Sequence, residues 1–266
     1  MKLLILSGSH PRHYYITSDI LQRFDEVKVI CMKRENLLPD IQSIDSNLLK
    51  LTNYHFEQRN IKEKVSLGIK TYLESKQLNS KIILPEELNS IEVKEFVKNY
   101  DADFAIICGT YILDKIFLKL LPKISINIHL GLSPWYRGSA TLFWPNYFLE
   151  PWKTGVTFHF LNEHSDSGDI VHQCQSKLED WMGVHDAAIF NIIKAKNDLS
   201  LLVDFYLKNK NLNSIKQKYA GKTFLNKDFK PYHLKLIYEL YDDKVIKFLS
   251  KRIKFPKIKL IQPNLT

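Results

Sequence analysis

The sequence predicts an α/β protein: a doubly wound, mostly parallel sheet with helices on both faces and a small C-terminal appendage. Three observations carry this. Runs such as LLIL at 3–6, VKVICM at 27–32 and FAIIC at 104–108 are largely continuous in apolar residues, as strands buried on both faces are. Stretches of helical periodicity separate them, the alternation expected of parallel strands joined by crossover helices. A chain of 266 residues with 45% hydrophobic and 25% charged residues can bury a large core, which excludes global disorder.

The first strand, 3–6, runs into the small, turn-prone SGSHP. A helix follows with Pro11 near its start, where the missing amide costs nothing, and with Ile16, Ile20, Leu21 and Phe24 on one face. The second strand is 27–32. Residues 34–53 are polar and predict no element. A helix is expected from about 57 to 75, a third strand at 82–84 stopped by Pro85, a helix over 89–99 and a strand at 104–108 ending in Gly109. A short helix at 114–121 ends at Pro122, and 124–130 is the next strand. The texture then changes: GVTFHFL (155–161) and DIVHQCQSKL (169–178) read as two strands of a hairpin or meander, joined by NEHSDSG. Residues 185–208 form a long amphipathic helix on Ile189, Ile192, Ile193, Leu199, Leu202, Val203 and Tyr206. After 211 come a hairpin around Gly221, short helices at 233–241 and 244–250, and an extended tail. The expected division is a main domain over 1–210 and an appendage over 211–266.

The net charge of +9 sits in that appendage. Residues 211–266 hold 13 Lys and Arg against 4 Asp and Glu, while the first 210 residues hold 25 of each sign. Such a surface attracts phosphates, RNA or anionic lipid, or is simply a solvated face. Cys31, Cys108 and Cys174 are odd in number, far apart and without CxxC spacing, which predicts reduced, buried thiols in a cytoplasmic protein. No apolar run approaches the ~18 residues of a membrane span, and the start is too short in apolar residues for a secretory signal. No membrane association is expected.

Ligands of open parallel sheets bind beyond the carboxyl ends of the strands. That rule selects residues 7–13, 109–113 and 127–138. Asn127 and His129 lie two apart on one strand and project to the same side. Two polar side chains facing one way at a strand end suggest a shared ligand, although a lone histidine more often satisfies local backbone. The stretch from His159 to Asp169 holds two histidines and three carboxylates. It lacks the short spacing of a metal pair, so a structural turn or a catalytic carboxylate on a loop is favoured, and no metal is expected.

SINIHLGLSPWYRGSATLFWP followed by TGVTFHFLNEHSDSGDIVHQ resembles the folate-dependent formyltransferases, which include the glycinamide ribonucleotide, methionyl-tRNA and nucleotide-sugar enzymes. The family pattern is Asn-x-His, a hydrophobic-Pro turn with Arg/Lys-Gly, then an Asp some forty residues on. It is present as Asn127, His129, Ser133-Pro134, Arg137-Gly138 and Asp166. The resemblance implies the formyltransferase Rossmann-like fold and metal-free formyl transfer from N10-formyltetrahydrofolate to an amine. In that chemistry the Asn127 amide donates to the developing oxyanion, His129 relays a proton, and Asp166 fixes the His129 tautomer or takes a proton. The pteridine is expected against Gly109, Thr110, Tyr111, Ile112 and Leu113 and the loop Asn162, Glu163, His164 and Ser165; Tyr111 and Leu113 read equally as core.

The acceptor side is expected at Ser9, Arg12, His13, Tyr136, Arg137 and Gly138, with Arg12 offered to a diphosphate. Pro11 departs from the phosphate cradle of the glycinamide ribonucleotide enzymes, and 56 residues are too few for the RNA-binding barrel of the methionyl-tRNA enzymes. Residues 218–229 resemble the C-terminal hairpin of nucleotide-sugar N-formyltransferases. The implied acceptor is a nucleotide-linked 4-amino-4,6-dideoxyhexose for surface polysaccharide such as O-antigen, and the implied assembly a homodimer through the C-terminal region. Nucleic acid is not the expected partner. Methionyl-tRNA or glycinamide ribonucleotide formylation is the alternative, and a non-catalytic folate or nucleotide binder the third reading.

Overall fold

The computed structural model describes residues 1–33, 45–73, 79–164, 166–219 and 221–265. Among them the main sheet has seven strands: β1 (Lys2–Gly8), β2 (Glu26–Met32), β3 (Asn79–Ile83), β4 (Phe104–Cys108), β5 (Ser125–His129), β7 (Val156–Phe160) and β8 (Ile170–Cys174). Their spatial order is β3-β2-β1-β4-β5-β7-β8, parallel from β3 through β5, with β7 antiparallel to both β5 and β8. The chain order reverses direction between β1 and β4, and there the carboxyl ends of the strands open a crevice.

Both faces are covered, as the continuous apolar strands require. On β1, Leu3 and Ile5 join the core beneath α1 (Pro11–Thr17) and α6 (Val184–Asn209). Leu4 and Leu6 join Val93, Val97 and Phe117 beneath α3 (Ile91–Tyr100) and α4 (Lys115–Leu120) on the other face. All three cysteines are buried free thiols, and no described helix is long and apolar enough to cross a membrane.

Two elements depart from the sequence expectation. Helix α2 spans Ser46–Leu67, not 57–75. Asp45 caps it by accepting from the amides of Asn47 and Leu48, and Gly68, at φ +82°, ends it. Its buried side chains include Thr52, His55 and Glu63, so the helix hides polar groups and gives little apolar periodicity. Of the polar stretch 34–53, residues 34–44 lie outside the described residues and 46–53 are the first turns of α2.

The second departure concerns the C-terminal segment. In place of a hairpin around Gly221, β9 (Lys222–Phe224) pairs in parallel with β6 (Tyr136–Gly138), a strand inside the glycine-rich turn after β5. Gly138 has φ +84°, and a Cβ there would strike the Phe224 carbonyl, so this approach needs glycine. α5 (Trp144–Tyr147), α7 (His233–Lys235), which continues as one wide turn to Leu240, and α8 (Val245–Ser250) surround the pair. Tyr136, Phe143, Trp144, Val184, Leu234 and Val245 form one apolar cluster, so residues on both sides of position 210 share a core. The tail lies along β8, where the Gln173 amide donates to the Ile261 carbonyl at 2.8 Å.

Candidate active site

Strand β5 carries Asn127 and His129 toward one side, and antiparallel β7 sets His159 directly opposite Asn127. The loop from β7 to β8 brings Asp166 over both. Asp166 Oδ1 lies 3.2 Å from Asn127 Nδ2, 3.3 Å from His129 Nδ1 and 3.4 Å from His159 Nε2. Its Oδ2 accepts from the Gly138 amide at 2.8 Å. The three residues expected to carry the chemistry therefore meet, forty residues apart in sequence, in a nearly closed cluster.

His159 is a fourth member, which the sequence reading placed on the strand 155–161 without a catalytic role. Its Nδ1 faces the Phe160 carbonyl at 2.8 Å and its Nε2 faces Asn127 Nδ2 at 3.0 Å. The consistent assignment puts the proton on Nδ1, leaving Nε2 to accept from Asn127. The Asn127 amide then donates one hydrogen to His159 and one to Asp166. One of these bonds has to yield before Asn127 can donate to an oxyanion.

His129 is placed to exchange a proton. Nδ1 faces the Asp166 carboxylate, and Nε2 faces the Tyr136 carbonyl at 2.8 Å. Both partners are acceptors, and a neutral imidazole has one N–H. Whichever nitrogen carries it, the other presents a lone pair to an oxygen, and an added proton relieves that opposition. Burial nevertheless holds the His129 pKa below its ordinary value, against the pull of Asp166 and the Tyr136 carbonyl. Burial pushes the Asp166 carboxyl up, but His129, His159 and the Gly138 amide together outweigh it and hold the group well below the usual carboxylate range. The resting pair is thus a carboxylate beside a neutral ring.

Between α4, the start of β5 and the end of β7 lies a cleft of about 360 Å³ lined by Leu118, Leu121, Ser125, Phe160, Leu161 and Asn162 among others; none of the four clustered side chains lines it. Lys115 and Glu163, paired at 2.8 Å, also line it. Asn162 organises the loop leading to Asp166, accepting from the His164 amide and the Ser167 hydroxyl, each at 3.0 Å. Ser165 lies outside the described residues. Across the β4–α4 connection, Gly109 and Thr110 are half-buried, Tyr111 and Ile112 exposed and Leu113 buried. Asn89, which the sequence reading missed, pins this connection: its Nδ2 donates to the Ile112 carbonyl and its Oδ1 accepts from the Asp114 amide, both at 3.0 Å.

The residues expected on the acceptor side divide. Ser9 is half-buried at the end of β1. The buried His13 ring lies against Gly8 and Gly109, at the carboxyl ends of β1 and β4. Arg12 pairs with Glu63 of α2 at 3.1 Å. The Tyr136 side chain is fully buried, its hydroxyl donating to Glu150 at 2.7 Å, so it is core and not a stacking platform. The Arg137 guanidinium turns to the C-terminal segment, donating to Gln217 Oε1 and the Tyr219 carbonyl. Gly138 serves Asp166 directly. Among the described residues, no three His, Cys, Asp or Glu side chains are gathered as for a metal ion.

Residues 55–180 match the formyl transferase family. A GDP-perosamine N-formyltransferase of Brucella melitensis is 37% identical over 94 residues, 35% of this chain and 36% of that protein. A methionyl-tRNA formyltransferase of Desulforamulus reducens is 35% identical over 104 residues, 36% of this chain and 32% of that protein. The matches thus span about a third of these curated relatives. The fold is that of an N-formyltransferase from Helicobacter canadensis solved with folinic acid and dTDP-3-aminofucose, at a TM-score of 0.60 and 17% identity, covering 97% of this chain and 84% of that one. Fold and sequence match agree: over residues 55–180 the chain is similar to the formyl transferase domain.

Proposed function

We propose that the protein transfers a formyl group from N10-formyltetrahydrofolate to the amino group of a nucleotide-linked amino-dideoxy sugar. The observation that carries this reading is the meeting of Asn127, His129 and Asp166; a cleft of about 360 Å³ lies further along the same strands, at Ser125 of β5 and Phe160 of β7. The cleft fits a pteridine. Leu118, Leu121 and Leu161 suit the faces of a flat ring, and Ser125 and Asn162 offer polar groups for its edge. Bound there, the folate supplies a formyl group carried on nitrogen.

This chain's residues supply the proton traffic. The neutral His129 ring takes the proton that an attacking amine must lose and returns it to N10 as the formyl–N10 bond breaks and tetrahydrofolate leaves, and the Asp166 carboxylate stabilises the imidazolium between the two transfers. Asn127 offers an amide hydrogen to the formyl oxygen once its bond to Asp166 loosens. The nearby closure of Phe160, Leu161 and the turn after β5 keeps bulk water from this exchange.

The acceptor is read from the crevice and the relatives. Ser9, Arg12 and His13 stand at the carboxyl ends of β1 and β4, where an open sheet binds nucleotides. A perosamine enzyme is among the relatives, and the fold is shared with a protein solved with a dTDP-aminosugar. The same reading makes the product a precursor of surface polysaccharide and the protein a cytoplasmic homodimer joined through its C-terminal region. Formylation of methionyl-tRNA is the second reading, favoured by that relative and by the +9 charge of residues 211–266.

The test is to incubate the protein with N10-formyltetrahydrofolate and the dTDP-, GDP- or UDP-linked 4-amino-4,6-dideoxyhexose, and to weigh the sugar nucleotide by mass spectrometry. Gain of one formyl group by one of the three is expected. No gain with any of them, together with formylation of methionyl-tRNA, overturns the acceptor; no transfer to any amine overturns the activity.

A further inference from the structure

We propose that Gln217, outside the part of the chain that matches the formyl transferase family, is a positioning residue: it holds Asp166 at the register that faces His129. The inference rests on the formyl-transfer reading above. Gln217 Nε2 donates to the Asp166 carbonyl at 3.0 Å and to the Gly168 carbonyl at 2.8 Å. Its Oε1 accepts from Arg137, whose guanidinium also donates to the Tyr219 carbonyl at 3.2 Å. One amide therefore ties the loop that presents Asp166 to the turn that presents Gly138.

The segment that carries Gln217 is anchored on both sides. Upstream, Ile215 and Ile170 exchange both backbone hydrogen bonds at 2.8 Å, joining the segment to the first residue of β8. Downstream, the Lys222 amide donates to the Trp135 carbonyl at 3.0 Å and the Ser139 amide to the Phe224 carbonyl at 2.8 Å, across the β6–β9 pair. The same stretch thus fixes Asp166 twice. Gln217 holds its backbone, and β9 sets the strand whose Gly138 amide holds its carboxylate.

Such support is needed because Asp166 sits at φ +50°. Left-handed backbone at a non-glycine residue is costly and persists only where its surroundings over-determine it. The Asp166 carbonyl also accepts from the Ser133 hydroxyl at 3.5 Å, the outer limit of a hydrogen bond. Without Gln217 the residue can relax toward ordinary dihedrals, and its carboxylate then leaves His129, His159 and Asn127 together.

Three variants test this: Gln217→Met, which keeps the length and removes both functions; Gln217→Glu, which keeps an acceptor for Arg137 and removes the two donated bonds; and Lys216→Gln, an exposed neighbour. Both Gln217 variants are expected to lose kcat on the order of 100-fold, the cost of a slight misplacement at a reacting centre. KM for either substrate should change little, and Lys216→Gln should match the parent. Normal kcat in Gln217→Glu beside a slow Gln217→Met would assign the role to the Arg137 contact and overturn the proposal. Should Gln217→Met not fold, Gln217→Glu carries the test.

A readout independent of activity is the NMR titration of the His129 ring, which faces Asp166, His159 and Arg137. Loss of the nearby carboxylate should lower its midpoint in the Gln217 variants, and an unmoved midpoint overturns the proposal. If the parent protein transfers no formyl group, the functional reading fails while this titration still decides the role of Gln217.

Discussion

Among the described residues, two buried aspartates are paired with histidines, two strands apart on one sheet. His172 on β8 and Asp198 on α6 lie 2.8 Å apart, and Lys194 closes on the same carboxylate at 2.5 Å. His129 on β5 and Asp166 lie 3.3 Å apart, and Asp166 divides itself among Asn127, His159 and the Gly138 amide. In both, burial works against the carboxylate and is outweighed by its partners, so each Asp is held below its ordinary range. The chemistry of the pair therefore does not separate structure from function. What separates them is the surroundings: the first is sealed between sheet and helix, while the second is presented by the loop between β7 and β8 and has a ring with an acceptor at each nitrogen.

The sharpest way to break this contrast is to remove one member of each pair. His129→Ala or Asp166→Asn should lower kcat by about 10²–10⁴-fold, the usual worth of a positioned acid–base group. Thermal unfolding should change far less, and formyl-transfer assays on protein of matched circular dichroism decide it. Near-parental turnover in either variant would show the two pairs to be equivalent scaffolding. Asp198→Ala should do the reverse. Breaking a buried pair leaves a group without its partner at a cost of about 3 kcal/mol, so the urea midpoint should fall while the kcat of folded enzyme holds. A stable Asp198→Ala with impaired turnover would sink the distinction.

The sequence carried the site further than it carried the fold's periphery. Asn127 and His129 were readable because a strand's period of two fixes their common side, and Asp166 because it stands in a recognisable loop. His159 was not: its role depends on the antiparallel register with β5, which local pattern does not specify. Gln217 gave no signal at all, since a lone glutamine in a basic segment looks like solvated surface. Helix α2 was misplaced because its buried face holds Thr52, His55 and Glu63 where a periodicity argument looks for apolar residues. The supposed hairpin failed for a related reason, as the partner of β9 is a strand more than eighty residues earlier.

A third histidine arrangement sharpens the contrast through pH. His55 and His185 lie with ring centroids 4.5 Å apart, tilted by 45°, and share the Tyr238 hydroxyl, at 2.7 Å and 3.3 Å. Burial, reinforced by Arg59 and Lys62, pushes His185 down to about 3; burial, His185 and Arg59 push His55 well below its ordinary value. Both bases are depressed, so the unfolded chain binds protons first as pH falls through ~6.5, and stability is lost from there toward the folded values. Asp243, which burial pushes up to about 6, acts oppositely between roughly pH 4 and 6, because the folded state then holds the extra proton. His129 and His233 are also held below their ordinary value by burial, so the depressed histidines outweigh Asp243 and stability should rise with pH across this window. His185→Gln should flatten that slope in urea titrations at pH 4.5, 5.5 and 6.5. An unchanged slope would place the proton uptake elsewhere.

The smallest effect is expected where the donor cleft meets its frame. Asn89 fastens both ends of a short stretch, the Ile112 carbonyl and the Asp114 amide. Asp114 in turn caps α4 by accepting from the Phe117 amide at 2.8 Å and pairs with Lys94 at 2.6 Å. Asn89→Ala removes two bonds of a partly exposed side chain and leaves that cap intact, so about 1 kcal/mol should be lost. None of the Asn89 contacts reaches Asn127, His129 or Asp166. The loss should therefore appear as a KM for the folate donor raised about 5-fold, with kcat and the KM for the amine unchanged. That is the opposite split from the one expected of Gln217. A fall in kcat without a change in donor KM would mean that the β4–α4 connection positions the reacting groups and does not merely border the cleft.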